Sequence, residues 1–258
     1  MVGADWKTMN EFAAGIDANR LPATAALAGR NLTVRFGDGT ALRLAFRGDG
    51  TATWGGPGEE SGTDWYEAVE VRPGVYFLDQ TFAAAPYRSV TTMLNTATGR
   101  ALVVTSRIAD EPVAGVPRVS QDFAPGVIEG APPGAPAPAE SRDLVGWRAL
   151  YRYSPHHLYE HVYLSSRRYA WQCLVGEQRG HGDVDLSAAW SLGDDLYVFT
   201  WREFRIPVAA VWLYDLHAMR TTGKFFGLGG DGRAHNSPGG AYVTSLGRVE
   251  YPPDGEPV

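Results

Sequence analysis

Glu203, Tyr151, Tyr153 and His161 are the residues of this chain whose types and spacing suit proton chemistry on a small molecule. Three of them fall in VGWRALYRYSPHHLYEHVYL (145–164), where four tyrosines, a tryptophan and three histidines crowd together, and Glu203 ends the alternating row Tyr197, Phe199, Trp201, Glu203. A carboxylate beside aromatic surface is poorly solvated, so its pKa rises toward neutrality and it can act as acid or base. Phenol hydroxyls can donate to an anionic oxygen, and an imidazole offers a second proton carrier. Tyr159, Tyr163, Trp171 and Trp201 would enclose a flat substrate, and Arg179 and Lys224 would supply cationic contacts to it. A plainer alternative fits the same pattern: the aromatics fill a core and Glu203 reaches water at a strand end.

Other chemistries find less support. His157 and His161 share a strand face but would stand about 13 Å apart at ~3.3 Å per residue, too far for one ion. His181, Asp183 and Asp185 in RGHGDVD could contribute to a site, but such a string also reads as a polar turn. No bound metal is expected. No GxSxG elbow or GxxxxGK loop is present, TTGK (221–224) lacks the preceding glycine, and GLGGDG (227–232) reads as a turn. The chemistry expected is therefore independent of any cofactor.

The elements that must position these groups are strands. Short period-two runs rich in Val, Tyr, Phe, Trp and Thr, punctuated by turns such as GDG and GDD, fill both halves of the chain. Strands in series without intervening helices predict antiparallel meanders that close into barrels. LAGRNLTVRF (27–36) aligns with LVGWRALYRY (144–153), and PGVYFLDQTF (73–82) with DDLYVFTWRE (194–203), so the module is present twice. Residues 110–143 hold seven prolines and read as a Pro/Gly-rich linker, with apolar residues such as Val119 and Phe123 that could lie across a barrel. The expected organisation is all-β: a barrel over 1–109 with a short leading helix, the linker, and a second barrel over 144–258. Thr8 and Glu11 have capping-box spacing, and Phe12 and Ile16 share a helical face.

Alternation divides the second barrel into an aromatic face with polar tips and a mainly aliphatic face carrying Leu158, Val162, Leu164, Leu196 and Val198. The aliphatic face could pack on the other barrel, on the N-terminal helix or on a second subunit as a homodimer. Tyr151 and Tyr153 stand opposite Val34 and Phe36 in the alignment, and Glu203 opposite Phe82. This places the expected chemistry in the C-terminal barrel and leaves the first as scaffold and interface.

With 23 basic and 29 acidic residues the chain has no broad positive footprint for nucleic acid or an anionic membrane. Cys173 is its only cysteine, so no internal disulfide can form. The first residues lack the basic-then-apolar layout of a secretion signal, and no window approaches a membrane span. A cytoplasmic location is expected.

DANRLPATAALAGR (17–30), YEHVYL (159–164), WQCLVGEQRG (171–180), YVFTWRE (197–203), IPV (206–208) and DLHAMRTTGKFFG (215–227) resemble the molybdenum cofactor biosynthesis protein F (MoaF) family. The resemblance covers nearly the whole chain and implies two lipocalin/calycin-like halves and an association with molybdenum cofactor metabolism. The C-terminal half is also distantly similar to bacterial phenolic acid decarboxylases, through Tyr151 and Tyr153, Tyr159 and Glu160, and Trp201 and Glu203. That similarity implies a tyrosine pair on the substrate carboxylate and a glutamate handling the phenol proton; Arg179 lacks the tryptophan neighbour of that family's arginine. The leading expectation is thus an acid/base enzyme of decarboxylase, hydratase, isomerase or cyclase type acting on a small aromatic or conjugated molecule. The alternative is a lipocalin-like binding protein or carrier, with a pterin-type ligand suggested by the family name.

Overall fold

A computed structural model describes residues 6–56, 60–132, 134–252, 254–255 and 257. Residues 1–5 and 258, the ends of the two expected domains, and Pro133 of the linker lie outside them. The first eight strands are β1 (Asn31–Phe36), β2 (Ala41–Phe46), β3 (Thr51–Gly55), β4 (Ser61–Arg72), β5 (Val75–Thr81), β6 (Arg88–Asn95), β7 (Arg100–Ile108) and β8 (Val119–Ile128). Each pairs antiparallel with the next, and β1 pairs with β8, closing a barrel. After β9 (Ala139–Glu140) the pattern repeats with β10 (Trp147–Ser154), β11 (His157–Tyr163), β12 (Arg168–Val175), β13 (Gly182–Gly193), β14 (Leu196–Arg202), β15 (Val208–Asp215), β16 (Arg220–Leu228) and β17 (Ala234–Arg248). Here β10 pairs with β17, and β9 adds to the edge of β13. The fold is two closed eight-stranded barrels in tandem, all-β as the alternation predicts, with strand order conserved between the copies.

Local sequence explains the connections. At the β13–β14 hairpin, Asp194 and Asp195 both take positive φ, 53° and 55°, a twist-matched turn for which Asp is among the tolerated residues. At the N-terminus the Glu11 carboxylate accepts hydrogen bonds from the Thr8 backbone N–H (2.8 Å) and hydroxyl (2.6 Å), starting α1 (Met9–Phe12). Met9, Phe12 and Ile16 are buried in the core of the second barrel, so this segment stoppers that barrel and not its own neighbour in sequence.

The boundary expected at residue 110 is corrected. Residues 119–128 form β8, the strand that closes the first barrel, and the connecting segment proper begins after Ile128. Proline and glycine are there for geometry: Pro125 lies beyond the three residue pairs joining β8 to β1. A Cβ on Gly126 would fall 2.6 Å from Val34, so only glycine allows the seam to close.

The aliphatic faces meet between the barrels. Val69, Phe77, Met93 and Leu102 of the first pack against Leu192, Leu196, Val198 and Leu213 of the second. Arg72 reaches across to Asp215, donating at 3.0 Å and 2.6 Å. Lys224, on the outer face of β16, pairs with Asp79 and Ser89 of the first barrel, and Asn236 also donates to Asp79 at 2.5 Å. Among the described residues no helix is long and apolar enough to cross a membrane.

Candidate functional site

The polar-tipped aromatics of the C-terminal barrel do converge, but largely on one another. Tyr151 and Tyr163 share a hydrogen bond of 2.5 Å, and the Tyr163 hydroxyl donates to Tyr214 at 2.9 Å. All three phenols are buried, which raises their pKa values and keeps them neutral. Tyr153 packs edge-on against Tyr159 and Trp212, and Tyr159 donates to Gln178 at 3.1 Å. His161 lies 4.2 Å from the Tyr151 ring and near Tyr169 and Trp201; burial pulls its pKa down to about 3, so it is a neutral imidazole.

Glu203 follows the last residue of β14 and is buried beside Trp201, whose indole N–H points at it from 3.4 Å. Burial raises the Glu203 pKa well above the ordinary carboxylate range, and the charge of Asp185 raises it further. Asp185 is also buried, accepting from the Trp171 indole at 2.8 Å and the Phe204 backbone N–H at 3.2 Å, and burial pushes it up to about 6. RGHGDVD is therefore not wholly a turn: Asp183 and Asp185 sit on β13, and Asp185 joins the lumen. The signal was available, since Asp185, Ser187 and Ala189 alternate along one face.

Three expectations need correction. The lumen is not an open hollow: about 20 Å³ remains free, bounded by Phe12, Tyr153, His161, Trp171, Trp201 and Glu203, which is room for about one water. Trp212 helps to fill it by lying over Gly223 and Gly239, where added Cβ atoms would meet its ring at 2.6 Å and 2.8 Å. Arg179 is exposed on the β12–β13 turn and does not line the lumen. Lys224 has the opposite parity to Phe225 and is sealed between the barrels, outside the C-terminal lumen. Glu160, too, faces outward, paired with Arg148 and Gln172. Among the described residues no three His, Cys, Asp or Glu side chains cluster as metal ligands.

The space is in the other barrel. One end of the N-terminal lumen is packed by Leu44, Phe46, Tyr66, Leu78 and Leu94, while the opposite end opens into a cavity of about 580 Å³. Phe36, Trp54 and Phe82 give it aromatic walls, Val103 lies on its lining, and Gln80, Arg88, Thr105 and Arg107 bring polar groups. Trp54 and Phe82 meet edge to face at 5.2 Å, with the Arg88 guanidinium 4.3 Å from the Phe82 centroid. In the alignment of the two halves Phe36 and Phe82 are the unadorned counterparts of Tyr153 and Glu203, so nothing in that comparison marks this end as polar.

The comparisons agree across the chain. The MoaF N-terminal domain profile matches residues 4–110 and the MoaF C-terminal domain profile residues 138–249. A crystal structure from Burkholderia vietnamiensis, designated a candidate beta-lactamase, is 14% identical over 40% of this chain and 95% of its own, at a TM-score of 0.35, too slight a likeness to bear on function. Protein MoaF of Klebsiella aerogenes is 34% identical over 240 residues, 88% of this chain and 89% of its own. With both halves matched in order and a full-length relative at that identity, the chain belongs to the MoaF family.

Proposed function

We propose that this protein is a small-molecule binding protein or carrier whose ligand enters the open end of the N-terminal barrel. The observation that supports it is the 580 Å³ aromatic-walled cavity, against about 20 Å³ in the C-terminal lumen. A volume of that size suits a drug-sized ligand, with apolar walls for its body and a few polar groups for its orientation. Family membership suggests a role linked to molybdenum cofactor biosynthesis, a pathway context and not a reaction.

The test uses N-phenyl-1-naphthylamine, a flat neutral fluorophore. Saturable one-to-one binding is expected, with Val103→Trp weakening it about tenfold by filling the cavity and Trp171→Ala leaving it unchanged. Loss with Trp171→Ala and not with Val103→Trp would move the site to the C-terminal barrel and overturn the reading.

A second reading, acid/base turnover in the C-terminal barrel, is favoured by two buried acids, Glu203 beside His161 and Tyr159, and Asp185 on the Trp171 indole. It requires a substrate to displace Phe12 from the barrel mouth. On that reading Glu203→Gln abolishes turnover and leaves binding within several-fold.

A further inference from the structure

Resting on the binding reading above, we infer that the ligand of the N-terminal cavity is a flat, conjugated molecule bearing an acceptor oxygen group, carboxylate or conjugated carbonyl, and that Arg88 and Gln80 are its donors. Two side-chain donors at the cavity wall are left without partners. Gln80 is only 2% exposed, yet among the described residues its side-chain nitrogen has no hydrogen-bond partner, and the same is true of Arg88 Nε. Both residues line the cavity, from neighbouring strand ends of β5 and β6. Buried donors without partners are costly, so a ligand that accepts from them gains more than one that merely fills space.

Acidic groups nearby, among the described residues, have partners of their own. Asp64 accepts from the Trp54 indole (2.9 Å) and the Ala83 backbone N–H (3.1 Å), Asp38 from Thr40, and Asp122 from Arg107. Glu60 pairs with Arg88 at 3.1 Å but is 70% exposed, so a ligand oxygen can share or displace that contact at little cost. Arg88 is held in place from its other side, with its guanidinium carbon 4.3 Å from the Phe82 centroid and 5.3 Å from that of Trp54. The recognition is therefore bipartite: donors at Arg88 and Gln80 for the oxygen, rings for the conjugated body.

The experiment compares 8-anilinonaphthalene-1-sulfonate, which carries anionic oxygens, with N-phenyl-1-naphthylamine, which has the same body without them. Arg88→Met and Gln80→Leu are each expected to weaken the sulfonate probe about tenfold and to leave the neutral probe within about twofold. Val103→Trp should weaken both. Equal losses for the two probes, or no loss of the sulfonate probe, would overturn the inference while leaving the cavity as a binding site. Failure of both probes to bind wild type, or indifference to Val103→Trp, would instead remove the binding reading itself. If Arg88→Met does not fold, Arg88→Lys and Gln80→Glu replace it, the latter expected to repel the sulfonate selectively. Displacement by 2-naphthoate or by 2-acetylnaphthalene assigns the oxygen as carboxylate or carbonyl, and displacement by neither counts against the inference.

Discussion

Glu203 and Asp185 show how burial can oppose the usual behaviour of an acid. Both carboxyls have pKa values raised in the folded chain, Asp185 to about 6 from 3.8. The protonated forms are thus the ones the fold favours, and their contribution is fully present below the unfolded-state value and lost as pH rises through the folded one. For Asp185 that window runs from about pH 4 to about pH 6, and Glu203 extends it upward. Asp185→Asn and Glu203→Gln should therefore gain stability relative to wild type as pH increases across this range, on the order of 3 kcal/mol for Asp185. Urea denaturation at several pH values between 4 and 7 reads this directly. Glu160 works in the opposite sense, its pKa lowered chiefly by the hydrogen bond from Arg148, but it is common to all the proteins and cancels in the difference. A pH-independent difference would show these carboxyls to be solvated. The sequence made Glu203 legible because its row of aromatics fixed its face; Asp185 was named only as a possible contributor to a site, because glycines and charges around it imitate a turn.

At the scale of elements, alternation was a good guide wherever both faces differed, as in β10, β11 and β14, and the two-copy alignment correctly paired β1 with β10 and β5 with β14. It failed at β8, whose Pro125 and Gly126 look like linker composition. Their explanation is local: the seam needs close backbone approach, and Pro125 sits outside its hydrogen-bonded pairs with β1. Gly126→Val in the full-length chain should destabilise it by about 2 kcal/mol through overpacking against Val34 and Arg35. Pro132→Ala, on an exposed stretch of the connecting segment, should fall within about 0.5 kcal/mol of wild type. Equal, small effects of the two would place residues 119–128 outside the barrel after all. What composition also could not reveal was which lumen is full, since that depends on Trp212 finding Gly223 and Gly239 beneath it and on Phe12 arriving from α1.

At the scale of the whole molecule, the two barrels are joined by an apolar contact and by a buried charged pair. Lys224 and Asp79 are 1% and 4% exposed, and burial depresses the lysine pKa even though Asp79 opposes the shift. Such a pair is weak evidence for net stability, because desolvation offsets much of the attraction, but removing one partner leaves an uncompensated charge. Lys224→Met and Asp79→Leu should each cost about 3–5 kcal/mol, whereas the double variant should cost less than either alone. Chemical denaturation of the four proteins completes the cycle. Additive losses would mean that the two side chains act independently and that the barrels are held by the surrounding aliphatic residues alone. Probe affinity in the N-terminal cavity should be unchanged in the double variant, because Lys224 and Asp79 face away from that lumen. A loss of affinity there would instead couple the interface to the cavity, and the second barrel would then be acting on ligand binding through the contact that holds it to the first.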